Sequence, residues 1–219
     1  MRPIISCVDS SKQSFINAFF CAFQQKIDRL QELRKTYPDE AFTLCLVYID
    51  RLASGHFGGK EGKNRKNFCR ALASLSGNPL FAMIHPRQLK DLTDRYCPSA
   101  VPFISSLINR QPNALLHEND VAAEIRQSSL LDSEKRKLVE NLWRSSMANI
   151  AYDFIRVAEV HGPGSGGLSF DESIYQSRKG VTLSFEMLYD ALQQIHKQVT
   201  EASLTTGHWF GNPNYLKER

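Results

Sequence analysis

Apolar side chains recur at steps of three and four over three long stretches of this chain, a spacing that places them on one face of an α-helix each time. Ile16, Phe19, Phe20, Phe23, Ile27, Leu30 and Leu33 form the first stripe. Trp143, Met147, Ile150, Phe154 and Val157 form the second, and Met187, Leu188, Ala191, Leu192, Ile195 and Val199 the third. Stripes of this kind bury against one another, so the expected fold class is all-α, a helical bundle. At 219 residues and 42% hydrophobic side chains, the chain can bury a substantial core as a single domain over 1–219.

Punctuation along the chain sets the expected elements. Ser10 followed by Gln13 has the pattern of a capping box, and Tyr37-Pro38 ends the first helix. Phe15, Phe19, Phe20 and Phe23 read as core rather than as a base-stacking surface, since helical apolar stripes bury by default. The apolar run from Glu40 to Ala53 fits a buried strand or a buried helix; its helical neighbours favour a central helix. Asp50 and Arg51 close that run. A carboxylate there needs a cation or water, either Arg51 or a nearby lysine, or else Arg156 or His161, which it would orient.

Residues 55–67 form a glycine-rich loop that carries Lys60, Lys63, Arg65 and Lys66. It does not fit the G-x-x-x-x-G-K-[ST] pattern of a nucleotide-hydrolysing loop. Its basic side chains suit either water or an RNA backbone. Phe68, Leu72 and Leu75 predict a helix ending at Gly77-Asn78-Pro79. Between 79 and 131 prolines punctuate an elaboration of short helices, 86–96, 102–109 and 121–131, in which His85 and His117 should face solvent. Asp132 or Ser133 should cap a long helix running to His161, with Glu134 in its first turn.

Five scattered cysteines without a CxxC pair indicate neither a zinc site nor a disulfide framework, and no metal or cofactor is expected. The N-terminus lacks a charged region followed by an apolar core, and no run approaches the ~20 apolar residues of a membrane span. The expectation is a cytoplasmic protein without membrane association. A net charge of +4 is compatible with an RNA partner. No helix pair has the tight turn and basic face of a helix-turn-helix.

The chemistry concentrates between Arg156 and His161. Beside the second apolar stripe runs a polar one, Ser145, Asn149, Tyr152, Arg156 and Glu159. On an unbroken helix Arg156 and His161 would point about 140° apart. The run Gly162-Pro163-Gly164 ends the helix just there, so the chain can bend the imidazole back towards the guanidinium. A titratable imidazole beside a permanent cation suits phosphate chemistry, RNA cleavage in particular.

Arg156-Val-Ala-Glu-Val-His161, ending in a glycine-rich break, resembles the R-x(4–6)-H signature of the HEPN superfamily, over residues 132 to 203. That family usually has a polar residue directly after the arginine, where this chain has Val157. The resemblance implies a small all-helical, metal-independent ribonuclease, a toxin or antiviral defence effector in prokaryotes. It further implies a homodimer whose cleft receives Arg156 and His161 from both subunits. A nucleotidyltransferase-like antitoxin is a further expected partner. Tyr152 and Glu159 stand where they can orient the pair. Some members carry a small β-hairpin before the last helix, and residues 168–183 alternate in a way that suits one. The competing reading is a non-catalytic helical module for dimerisation or partner binding.

Overall fold

A computed structural model describes residues 10–58, 64–111, 114–152 and 184–215. Among them are nine α-helices and one two-stranded sheet, so the chain is all-α. They divide into two compact units: one formed by the described residues up to 71, 75–77 and 185–215, the other by 72–74 and the described residues from 78 to 184.

The first unit is built on α1 (Ser10–Thr36), α2 (Pro38–Phe57), most of α3 (Asn64–Leu75) and the long C-terminal helix, here α9 (Phe185–Thr206). The α1 stripe buries as its spacing predicts: Ile16, Phe20, Phe23, Ile27 and Leu30 are all under a tenth exposed. Phe19 and Leu33 of the same stripe are half-buried, and Phe15, which falls off that face, is 70% exposed. Pro38 occupies the first turn of α2, where a missing N–H costs nothing. The run from Glu40 is indeed helix and central, packing on both α1 and α9. Burial pushes the Cys45 thiol on this helix well above its usual range.

The helix α2 runs on through Gly55 to Phe57, so the segment expected to be loop from residue 55 is helical for three more residues. Gly55 serves packing here. A Cβ at this position would stand 2.5 Å from Cγ of Phe210. Phe210 lies in the chain reversal after α9, where Gly207, Phe210 and Gly211 all take positive φ. The C-terminal aromatics therefore pack on their own unit. Trp209 meets Phe19 edge-on at 5.4 Å, and Phe210 meets Phe20 and Tyr215 at 5.6 and 4.7 Å. Gly55→Ala is expected to cost about 1–3 kcal/mol by overpacking this contact. The check is the denaturant midpoint, and an unchanged midpoint would mean the ring can step aside.

His196 stands between Ile195 and Lys197 on α9 and is 6% exposed. Its Nε2 donates to the Phe20 carbonyl at 3.1 Å, and its ring stacks on Phe23 at 5.7 Å. Burial pushes this imidazole below its ordinary pKa, against the opposing pull of the Phe20 hydrogen bond and the Asp28 carboxylate. With the folded pKa below the unfolded value of about 6.5, the unfolded chain binds the proton first as the pH falls. The stability that neutral His196 confers is whole above that value and is lost as pH drops towards the folded pKa. Denaturant midpoints should therefore fall between about pH 7.5 and pH 5.5, and fall less in His196→Gln. Equal slopes in the two proteins would contradict this assignment.

The second unit gathers α4 (Pro86–Tyr96), α5 (Val101–Asn109), α6 (Glu118–Gln127), α7 (Asp132–Asn141) and α8 (Met147–Ala151) around β1 (Met83–Ile84) and β2 (Leu116–His117). The strands are antiparallel, with Ile84 opposite Leu116. Ile84, Leu89, Ile104, Ile125, Leu138 and Leu142 are fully buried in its core. Proline sets the start of α4, as expected, but α6 starts and ends earlier than the apolar pattern suggested, closing where Ser128 Oγ donates to the Ile125 carbonyl. The cap of α7 also differs: Leu131 holds the cap position, and Glu134 reaches back to accept from its N–H at 2.9 Å.

The helix expected to run unbroken from residue 132 does not do so. After α7 come a 3-10 turn, Leu142–Ser145, and a fresh start at Ser146, whose Oγ accepts from the Asn149 N–H at 3.2 Å. Apolar spacing carries through a break of this kind, while a serine cap and an outside backbone partner produce it. That partner is the β1 segment: His85 N–H donates to the Ser145 carbonyl at 2.8 Å, and Ile84 bridges Ser146. The hairpin expected at 168–183 lies outside the described residues.

Candidate functional site

Arg156, Glu159 and His161 lie outside the described residues, as do Lys60 and Lys63. The last described part of that stretch is α8 and Tyr152. Met147 through Ala151 are all buried, and Tyr152 is half-buried at the helix end, its N–H donating to the Ala148 and Asn149 carbonyls. Ser145 and Asn149, the start of the polar stripe, are 0% and 3% exposed and do not face solvent. Asn149 Nδ2 instead donates to the Arg144 carbonyl at 2.7 Å, which closes the break in the helix. A polar stripe on a helix usually marks a wet face, but here its first half is buried in a junction to which the Asn149 side chain and the Ser145 carbonyl supply hydrogen bonds.

His85, expected in solvent, is half-buried at the start of α4. Burial first, and the Arg87 cation second, push its imidazole below the ordinary range, with Asp91 pulling the other way. His117 is exposed, as expected. Glu118 beside it is held above the usual carboxylate range by burial.

In the first unit, Asp50 is half-buried on α2. Arg51 does not pair with it. Its Nη2 donates to the Tyr215 hydroxyl at 2.9 Å, and its guanidinium lies 5.5 Å from the centre of the Phe210 ring. The pairing with Phe210 and Tyr215 is invisible in the sequence, because more than a hundred and fifty residues separate the partners. Arg65 and Lys66, expected in a loop, stand in the first turn of α3, with Lys66 exposed. Asn67 Nδ2 donates to the Gly58 carbonyl at 2.6 Å and ties the start of α3 to the end of α2. His56 and Arg70 carry no motif in the sequence. His56 Nδ1 donates to the Phe210 carbonyl at 2.7 Å, and Arg70 lies 4.1 Å over the Phe57 ring. The clue available in the sequence was charge alone: residues 51–70 hold six lysines and arginines against one acid, Glu61.

Among the described residues no group of His, Cys, Asp and Glu has the geometry of a metal site. No described helix is long and apolar enough to cross a membrane. No protein-family model matches the chain, and no curated protein or solved structure is similar to it.

Proposed function

We propose that this chain is a metal-independent endoribonuclease of HEPN type that acts as a homodimer in the cytoplasm, as a toxin or defence effector. The observation that carries the reading is the order of residues from Tyr152 to Gly167: Tyr152, then Arg156 and His161, then a glycine-proline run. The all-α fold is consistent with it.

In the proposed reaction the ribose 2′-OH attacks the adjacent phosphorus in line. The 2′-oxygen bonds to phosphorus as the bond to the 5′-oxygen breaks, leaving a 2′,3′-cyclic phosphate and a 5′-hydroxyl. His161 takes the 2′-proton or gives one to the leaving oxygen, since an imidazole titrates near working pH. Arg156 stabilises the developing charge on the phosphoryl oxygens through its planar fork. Tyr152 and Glu159 position these two groups, and a nucleotidyltransferase-like antitoxin would restrain them. Purified protein should cut RNA in EDTA and leave cyclic phosphate ends. Cutting that EDTA abolishes would contradict the reading.

Val157 favours a second reading, because an apolar side chain stands where the HEPN motif has a polar one. On that reading the chain is a non-catalytic helical module that dimerises or binds a partner through the Arg156 stripe. Arg156→Ala would then weaken association and change nothing in RNA.

A further inference from the structure

We infer that the end of the first unit where α2 meets α3 is a surface that holds the phosphate backbone of single-stranded RNA, built on Arg51, His56, Lys66 and Arg70. Its first support is charge. The chain as a whole carries +4, yet residues 51–70 carry six basic side chains and a single acid, so this segment accounts for the whole excess. The nearest other carboxylate in sequence is Asp50. The second support is the way the cations are held.

Arg51 rests on Phe210 and is tethered to Tyr215; Arg70 rests on Phe57. The His56 ring joins the two arrangements, bonded to the Phe210 carbonyl and set edge-on to Phe57 at 4.7 Å. An arginine laid over a ring surrenders little rotamer freedom when it binds. Arg51, Lys66 and Arg70 are all exposed. Contacts from cations to phosphate carry no sequence information, so the surface recognises phosphate and not sequence. The choice of a single strand rests on the ribonuclease reading: in-line attack by a 2′-OH needs a sugar freed from the A-form helix.

The test measures binding of a fluorescent uridine 20-mer to the His161→Ala protein across a salt series, beside cleavage by the wild type. Each lost contact to a single strand flattens the slope of log affinity against log salt by about 0.7, so Arg51→Gln/Lys66→Gln/Arg70→Gln should flatten it by about 2. Arg51→Lys with Arg70→Lys should keep most of the slope. If the triple variant does not fold, Lys66→Gln alone should show the single step of about 0.7. An unchanged slope overturns the surface, as does binding to phosphatidylserine vesicles in preference to the RNA. Binding with the predicted slope but without wild-type cleavage would sink the nuclease and leave the surface standing. Cleavage with an unchanged slope would do the reverse.

Discussion

His161→Ala is expected to reduce RNA cleavage in EDTA by about 10²–10⁴-fold, the usual contribution of a positioned general acid–base group. Arg156→Ala should lose a similar amount. Arg156→Lys should recover only part of it, because an ammonium keeps the charge but not the two-pronged fork that fits a phosphoryl group. The pH profile gives the finer reading. If His161 transfers the proton, the rate should respond to pH around the ordinary imidazole range, and that response should vanish in the alanine variant. Circular dichroism of each variant should match the parent. Both variants cutting at the parental rate would move the activity elsewhere or to a contaminant.

Phe210→Ala is expected to destabilise the protein by about 3–5 kcal/mol, the range for removing a large buried aromatic. Phe210 is 1% exposed, and its ring touches Phe19, Phe20 and Tyr215 as well as the bare Cα of Gly55. The substitution leaves a cavity that cannot collapse onto a glycine, and it takes the ring from beneath Arg51. Alanine would also inherit the positive φ of 54° without the packing that now compensates for it. Urea denaturation of the two proteins measures the difference. A loss within about 0.5 kcal/mol, as for a surface residue, would mean that the C-terminal turn is not part of the core.

Much of the fold could be read from the residues, and the reasons it could not be read further are specific. Spacing found α1, α2, α3, α4, α5 and α9, because each has either a continuous apolar face or a proline at its start. Spacing missed the break at 142–146 because Trp143, Met147 and Ile150 keep their periodicity across it. What interrupts the helix is a serine cap and a backbone partner from β1, some sixty residues earlier. The same limit hid the role of His196. A histidine among glutamine and lysine reads as a wet face until Phe20 and Phe23 from α1 close over it.

The candidate site divides along the same line. Arg156 and His161 drew notice because they are close in sequence and followed by glycine and proline. Arg51, His56 and Arg70 did not, because Phe210 and Tyr215, which hold them, come from the other end of the chain. The charge of Lys66 is legible in the sequence, but its helix is not, since four glycines nearby obscure the helix that starts at Asn64.

The central claim is that RNA is cut by its own 2′-hydroxyl, and one substrate pair tests it most directly. A short RNA and the same RNA carrying 2′-O-methyl groups are incubated with the wild-type protein in EDTA, and the products are resolved by mass. Cleavage of the unmodified strand to a 2′,3′-cyclic phosphate, with the methylated strand intact, is the predicted result. Cleavage of both strands, or cleavage leaving a 5′-phosphate, would contradict it.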